Sequence, residues 1–230
     1  MTDAQWEVLK KSLAGKYVNS WSGWVEEVNE KLFGGYELLV DMDPPNEPLS
    51  VQDVTFDIPD DIALKLQKDQ PVVFSGIISS VGWVLGSCQI SLDEAVINQS
   101  SIPSAQTLSS EKSESTDTPS FQEIRSKMTS MTEAQRNIYA KGLENKTVSD
   151  WTGWVEDVNK KLLGGYELWV DMDSPNELLS VQDITFDIPN DLALKLQKDS
   201  KVTFSGKIEI ASNTLESLSI KLVEATVTPN

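Results

Sequence analysis

Acidic side chains recur at alternating positions in two short segments, and the whole pattern occurs twice in the chain. The acids are Glu37, Asp41, Asp43, Asp53 and Asp57 in the first copy, and Glu167, Asp171, Asp173, Asp183 and Asp187 in the second. Neighbouring like charges repel one another, so such a group favours a basic partner surface or a cation that prefers oxygen ligands. The third interpretation is a solvated polar face of a half-exposed sheet.

The loop after the first acidic segment carries several residues with oxygen atoms that calcium could use. It reads Asp41-Met42-Asp43-Pro44-Pro45-Asn46-Glu47, and residues 171–177 repeat it with one change. Calcium takes six to eight oxygen ligands, and this string supplies several. The glycine and the full spacing of an EF-hand are missing. Local turn hydrogen bonds by Asp and Asn are the alternative explanation.

Tryptophans near the start of each copy have two possible roles. Trp21 and Trp24, with Trp151 and Trp154 in the second copy, are either stacking platforms or core residues. Aromatic side chains dominate small cores, which favours the second role. Trp169 replaces Leu39 on the outward side of a predicted strand, so it is the candidate for an exposed aromatic.

The residues needed for most enzyme chemistry are missing. The chain has no His, which is the commonest general base and metal ligand. Cys88 is the only cysteine, so neither an intrachain disulfide nor a Cys-based zinc site is possible. No Gly-rich phosphate loop or nucleophile motif occurs. The sequence therefore predicts a protein that is not an enzyme and has no cofactor.

A long internal repeat defines the domain organisation. Residues 21–76 match residues 151–206 without a gap, with 43 of 56 positions identical. Each copy has the size of one small domain. The interval 98–120 is rich in Ser, which predicts a flexible linker. We therefore expect one domain over 1–97 and a second over 121–230, the latter with an extended N-terminal helix that starts near Phe121.

Hydrophobic periodicity predicts the elements of each copy. A helix is followed by a strand interrupted by Gly23, which indicates a bulge or bend. Alternation predicts strands over 36–43 and 51–58, and a short helix follows over 60–68. Two further strands over 72–79 and 87–96 complete the order. The order is typical of a mainly β protein with two tandem five-stranded OB-like barrels.

The two copies diverge in the predicted loop between the fourth and fifth strands. Residues 80–84 read Ser-Val-Gly-Trp-Val, whereas residues 210–214 read Ile-Ala-Ser-Asn-Thr. This loop commonly contacts ligands in OB-folds. The divergence indicates either a difference in specificity between the copies or a loop without constraint.

The chain resembles the bacterial OB-fold proteins of the tRNA-anti-like type. The first copy carries the resemblance in Gly15-Lys16-Tyr17-Val18, in Gly23-Trp24-Val25, in Val54-Thr55-Phe56, and in residues 68–76 and 90–96; residues 146–148 and 220–225 repeat it in the second copy. It covers nearly all of both copies. It implies an OB-type barrel in each copy, and the family name implies nucleic-acid binding.

The net charge of −17 bears on which kind of partner the chain binds. Nucleic acid binds through an excess of Lys and Arg, which the chain lacks, so nucleic acid is disfavoured. The sequence instead predicts a binding module for a protein with a basic surface. The predicted binding residues are Glu37, Asp41, Asp53, Asp57, Glu167, Trp169, Asp171, Asp183 and Asp187. Single-stranded nucleic-acid binding and calcium-dependent binding are the alternatives.

The remaining sequence features concern location and assembly. No segment resembles a signal peptide or a membrane span. Residues 1–5 match residues 131–135, so Met1 lies inside the repeat and an upstream targeting segment is compatible with the sequence. Two tethered copies would give avidity for a repeated ligand. The sequence leaves the compartment and the oligomeric state open.

Overall fold

A computed structural model describes residues 3–45, 52–84, 87–98, 119–162, 164–175, 182–214 and 217–229. The chain divides into two compact units, residues 1–112 with 130–135 and residues 113–129 with 136–230, here called the first and second modules. The first module consists of α1 (Asp3–Leu13), β1 (Tyr17–Glu30), β2 (Tyr36–Asp41), β3 (Val54–Ile58), α2 (Asp60–Ala63), β4 (Pro71–Val84) and β5 (Ser87–Ile97). The second contains α3 (Phe121–Thr129), α4 (Glu133–Leu143) from Arg136 onward, β6 (Thr147–Lys160), β7 (Tyr166–Asp171), β8 (Ile184–Ile188), α5 (Asn190–Ala193), β9 (Lys201–Thr214) and β10 (Ser217–Pro229).

Each module is a closed barrel of five strands. The first has the order β1-β2-β3-β5-β4, and the second has the equivalent order β10-β8-β7-β6-β9. The long β1 pairs with β4 through its first half and with β2 through its second half. The β3–β5 pair is parallel and the others are antiparallel. This arrangement confirms the predicted mainly β fold with two tandem OB-like barrels.

Alternation of side chains places the core where the sequence predicts it. Leu38, Val40, Val54 and Phe56 point into the first barrel and are buried. Phe56 lies 5.1 Å from Phe74, measured between ring centroids. The same residue pattern fills the second barrel. Because the inward positions are fixed, the acids at the alternate positions must lie on the outer side of β2 and β3.

Gly23 permits a close approach between two strands. A Cβ atom built there would lie 2.5 Å from the carbonyl oxygen of Asp41, closer than real Cβ contacts allow. Strand pairing runs through Gly23 itself, and the irregularities lie on either side, between Val18 and Trp21 and between Val25 and Glu27. The glycine therefore brings β1 against the end of β2, and of the predicted bulge or bend, the bulge does not lie at Gly23.

Several element boundaries differ from the sequence-based expectation. Strands β2 and β3 are shorter than predicted, since they cover Tyr36–Asp41 and Val54–Ile58. Strand β4 continues to Val84, so residues 80–84 form strand instead of the expected loop. Helix α2 is only four residues long. Two helices, α3 and α4, stand in place of one extended helix. The backbone N–H of Thr132 donates to Oε1 of Gln135 at 3.2 Å, a capping contact that starts a separate helix.

The last points of the fold concern membrane-spanning helices and the domain boundaries. Within the described residues, no helix is long and apolar enough to cross a membrane. Most of the Ser-rich interval, residues 99–118, lies outside the described residues, and the expected domain and linker boundaries stay predictions.

Candidate functional site

The end of β2 and the segment before β3 bring three carboxylates of the first module together. Asp41, Asp43 and Asp53 each offer an oxygen, and these oxygens lie within 4.8 Å of one another. The backbone N–H of Met42 donates to Oδ2 of Asp53 at 3.1 Å, and that of Asp43 donates to Oδ1 of Asp41 at 2.8 Å. We call this group the first acidic cluster. Two full charges at this separation repel by about 3 kcal/mol at an effective dielectric constant of about 20.

The second module forms the same group from Asp171, Asp173 and Asp183, the second acidic cluster. The equivalent backbone hydrogen bonds are 2.9 Å to Asp183 and 2.8 Å to Asp171. A guanidinium is also present: Nη1 of Arg125 contacts the Asp173 oxygens at 2.8 and 2.9 Å, and Nη2 lies 3.0 Å from Oδ1 of Asp183. The second cluster is therefore neutralised in part by a cation from the same chain.

Helix α3 holds Arg125 in this position. Ser120 and Glu123 form a capping box at its start, with the Ser120 N–H donating to Oε2 of Glu123 at 2.7 Å. Ile124 and Met128 are buried in the core of the second module. Phe121 packs edge-on against Trp151 at 5.9 Å, and the Arg125 guanidinium lies 4.7 Å from the Phe121 ring. The apolar face of the helix thus fixes the arginine over the carboxylates.

Burial dominates the electrostatics of the second cluster. Asp183 is 2 % exposed, and this desolvation raises its pKa to about 6, even though the Met172 N–H and Arg125 both act to lower it. Burial also raises the pKa of Glu156, with a further contribution from Asp171. In the first module, burial and Asp41 raise the pKa of Glu26 in the same way.

The predicted solvated acidic face is wrong in part. Asp41 and Asp171 are 5 % and 3 % exposed, and Asp183 is also buried, although all three lie on the outer side of the sheet. Backbone N–H groups of the turn after β2 donate to Asp41 and those of the turn after β7 donate to Asp171, and Arg125 of α3 contacts the second cluster. Asp53 is half-buried.

Calcium binding by these groups stays a prediction. The carboxylates of each cluster make hydrogen bonds to backbone N–H groups of the following turn, which matches the alternative explanation of local turn bonds. The remaining residues of the predicted calcium loops, Asn46, Glu47, Asn176 and Glu177, lie outside the described residues.

The other predicted binding residues lie away from the clusters. Asp57 and Asp187, at the far ends of their strands, are exposed and pair with Lys31 and Lys161 at 2.8 Å. Such exposed pairs contribute little stability. Glu37 lies opposite Asp57 across the strand pair. Trp169 is half-buried rather than exposed, and its indole N–H donates to Oε2 of Glu167 at 2.9 Å.

The structure separates the two tryptophans of each repeat. Trp151 is 8 % exposed and packs against Phe204, so it belongs to the core. Trp154 is half-buried at the surface and lies opposite Lys201 on β9. The Lys201 ammonium is 5.7 Å from the centroid of the Trp154 ring. Core packing, one of the two predicted roles, describes Trp151, and a stacking role for Trp154 stays a prediction.

A cavity of about 220 Å³ opens beside Trp154. Its lining residues are Trp154, Val155, Glu156, Asp171, Pro175, Lys198 and Asp199. The cavity combines one aromatic face, carboxylate acceptors and an ammonium group. In the first module, Trp24 lies opposite Pro71 instead of a lysine, so the two modules differ at this position.

Sequence reasoning missed Arg125, Lys198 and Lys201 as site residues. Arg125 is separated from Asp173 and Asp183 by 48 and 58 residues, so no local spacing connects them. The exchange of Pro71 for Lys201 between otherwise similar copies was a usable signal. Because Trp24 and Trp154 are equivalent, this exchange indicates that a lysine lies near the aromatic side chain in the second copy only.

Comparisons with known proteins give matches only among solved structures. No family model matches the chain, and no curated protein matches it. A murine DNA-binding protein bound with double-stranded DNA is 7% identical, with a TM-score of 0.27, over 93% of this chain and 95% of that chain. The single-stranded DNA-binding protein from Thermus aquaticus is 9% identical, with a TM-score of 0.25, over 94% and 95%. Fission yeast Pot1 with single-stranded DNA is 10% identical, with a TM-score of 0.24, over 95% and 85%.

These matches correct the predicted partner. The sequence predicts a protein partner and disfavours nucleic acid, whereas the matching structures are described as DNA-binding proteins or DNA complexes. The cavity at Trp154 is itself lined by three acids and Lys198, and Lys201 lies over the Trp154 ring. The OB-like architecture implied by the family resemblance is confirmed, and the narrower tRNA-anti-like assignment stays a prediction.

Proposed function

We propose that the protein binds single-stranded nucleic acid, with one base held in the cavity beside Trp154. The observation that carries the proposal is the half-buried Trp154 ring with the Lys201 ammonium 5.7 Å from its centroid. Proteins that bind single strands combine aromatic stacking platforms with positive groups that follow the backbone. Trp154, Lys198 and Lys201 supply these two components at one place.

The cavity has the size and polarity suited to one base. Its volume of about 220 Å³ lies below the range of about 300–1,000 Å³ typical of drug-sized ligands. Glu156, Asp171 and Asp199 line it and present carboxylate oxygens. Carboxylates accept hydrogen bonds from exocyclic amines such as N4 of cytosine. The proposal therefore favours cytosine over thymine, since thymine has no exocyclic amine.

Lysines at the rim provide the phosphate contacts. Lys198 and Lys201 are both exposed, and neither makes an ion pair among the described residues. Two lysines on an otherwise acidic surface give weak binding with a shallow salt dependence, because each phosphate contact of a single strand contributes about −0.7 to the log–log salt slope.

The first module offers a built-in comparison. Trp24 occupies the position of Trp154, but Pro71 replaces Lys201. A proline carries no charge for phosphate and no cation for the ring. We therefore assign the tighter site to the second module.

The test is a fluorescence anisotropy titration with a labelled 12-nucleotide oligo(dC) at low salt. Replacing Trp154 by Ala should weaken binding by about 5- to 150-fold, the range expected for loss of one base–aromatic stack of about 1–3 kcal/mol. Trp154→Phe should retain most of the affinity, because a ring remains. Trp24→Ala is the matched control and should change affinity little. Equal losses from both alanine variants, or none from Trp154→Ala, would contradict the assignment.

A further inference from the structure

The first module has an exposed aromatic surface of its own, at a position unrelated to Trp24. We propose that Trp83, supported by Trp6 and Lys10, is a second stacking site for a base of single-stranded nucleic acid. The inference rests on the proposed function for the class of ligand, but it uses different residues in a different module. The second module has no equivalent of this site, because it lacks all three side chains.

The end of strand β4 presents Trp83 to solvent. Trp83 pairs with Cys88 of β5, one step before the last pair of the ladder, Val84 with Ser87. It lies two residues after Val81, so its side chain continues the face of β4 that Val81 buries. Val81 is 9 % exposed, whereas Trp83 is 60 % exposed. The indole therefore projects beyond the barrel core and keeps most of its surface accessible.

Helix α1 supports the indole from one side. The rings of Trp83 and Trp6 meet edge to face, with 5.8 Å between centroids and 79° between planes. This contact orients Trp83, and edge-to-face packing is a preferred arrangement of aromatic pairs. Gly15, just after the helix, donates its N–H to the carbonyl oxygen of Ile78 on β4 at 2.8 Å, which ties the end of α1 to the same strand. An oriented and exposed indole is the form in which tryptophan stacks on a base.

The last turn of α1 supplies positive charge beside the rings. The Lys10 ammonium lies 5.9 Å from the centroid of the Trp6 ring, and it also pairs with Glu7 at 2.5 Å. Lys11 follows it in the same turn and is exposed. Lys11 makes no ion pair among the residues that the structure describes. An ammonium near a stacking platform, here that of Lys10, is suited to the phosphate of the stacked nucleotide.

Comparison of the two copies shows whether the barrel needs these side chains for packing. Arg136, Ala140 and Asn213 stand where the first copy has Trp6, Lys10 and Trp83. The aromatic pair and the lysine are therefore replaced together, although the flanking strands retain the same barrel order. A barrel of this type closes without the aromatic pair. We infer that the pair serves binding in the first module.

The experiment is a two-residue mutant cycle, measured by fluorescence anisotropy with the same labelled 12-nucleotide oligo(dC) at low salt. The proteins are the full chain, Trp83→Ala, Trp154→Ala and the double variant. In the Trp154→Ala background, Trp83→Ala should weaken the residual binding at least about fivefold. Trp83→Phe in that background should retain most of the residual affinity, and Asn213→Ala should not change it. Circular dichroism verifies that each variant is folded.

The cycle distinguishes the two proposals. Failure of the proposed function appears as a Trp154→Ala protein that binds as tightly as the unchanged chain. The present proposal fails if Trp83→Ala has no effect on affinity in either background. It also fails if Trp83→Phe loses as much affinity as Trp83→Ala. A loss from Asn213→Ala as large as that from Trp83→Ala would show that the loss does not depend on the aromatic side chain, and it would also overturn the proposal.

Discussion

Nη2 of Arg125 lies 3.0 Å from Oδ1 of Asp183, which is 2 % exposed. This contact supplies a positive charge to a carboxylate that has little access to water. It also joins helix α3 to the segment before β8, two elements far apart in sequence. The two acidic clusters therefore differ through one arginine on a helix, while the acidic residues themselves are unchanged.

Removing this arginine should destabilise the second module. Arg125→Met keeps the length and apolar part of the side chain but leaves Asp183 buried without its cation. Breaking a buried ion pair costs about 3–5 kcal/mol, and partial exposure of Arg125 brings the expected loss to about 2–4 kcal/mol. Urea denaturation at pH 7, followed by circular dichroism, measures it.

The control for this loss is an exposed ion pair in the same module. Lys195 lies 3.9 Å from Asp191, and both side chains are largely exposed. Lys195→Ala should therefore change the free energy of unfolding by less than about 0.5 kcal/mol. A loss of that small size in Arg125→Met as well would mean that the Arg125 contacts do not stabilise the module.

The stability of the second module should depend on pH through Asp183. Burial raises its pKa from 3.8 to about 6, so the folded state binds this proton more tightly than the unfolded state does. The contribution of Asp183 to stability is therefore fully present below about pH 4 and is lost as pH rises through 6. A shift of this size corresponds to about 3 kcal/mol.

The variant Asp183→Asn isolates this effect. Denaturation of both proteins between pH 4 and 7.5 gives the difference in free energy of unfolding. As pH rises across this range, the wild type should lose about 2–3 kcal/mol of stability relative to Asp183→Asn. A difference independent of pH would contradict a raised pKa at Asp183.

Gly153 should not tolerate a side chain. A Cβ atom there would contact Cγ1 of Val170 and lie 2.8 Å from the carbonyl oxygen of Asp171. Gly153→Ala should cost about 1–3 kcal/mol by overpacking, measured by thermal or urea denaturation. Gly142, in α4, has no atom within 4 Å of the place that a Cβ would take. Gly142→Ala should instead stabilise by about 0.5–1 kcal/mol, so the two variants should have opposite signs.

The salt dependence of oligonucleotide binding tests the two lysines beside Trp154. The measurement uses the Trp83→Ala protein, so that the first module does not contribute. If Lys198 and Lys201 each neutralise one phosphate, the plot of log affinity against log salt should have a slope of about −1.4. Replacing both lysines by Ala should bring the slope close to zero. Lys195→Ala is again the control, and an unchanged slope in the variant lacking both lysines would place the phosphate contacts elsewhere.

The sequence predicts the fold better than it predicts the site. Alternation in β2 and β3 correctly assigns Leu38 and Phe56 to the core, because side-chain direction in a strand has a period of two. The same parity places Asp41 on the outer side, but parity does not reveal what covers that side. Asp41 is nevertheless 5 % exposed, and its carboxylate accepts a hydrogen bond from the Asp43 N–H.

The position of Arg125 shows a second limit. Local patterns predict a helix near Phe121, and the structure contains one. The helix contacts Asp173 and Asp183, which are 48 and 58 residues from Arg125 in the sequence. Periodicity in the sequence does not predict contacts over such distances. The family resemblance predicts the barrel, since it rests on residues that shape the barrel. It does not identify the lysine beside Trp154, which occurs in only one of the two copies.

The most direct test of the central claim observes Trp154 itself. Incorporating 5-fluorotryptophan gives one fluorine NMR signal for each of the seven tryptophans, and single Trp→Phe variants assign them. On titration with oligo(dC), the account predicts that the Trp154 signal shifts or broadens to saturation while the signal of the buried Trp151 changes little. Saturable changes confined to tryptophans other than Trp154, or no change in any signal, would contradict it.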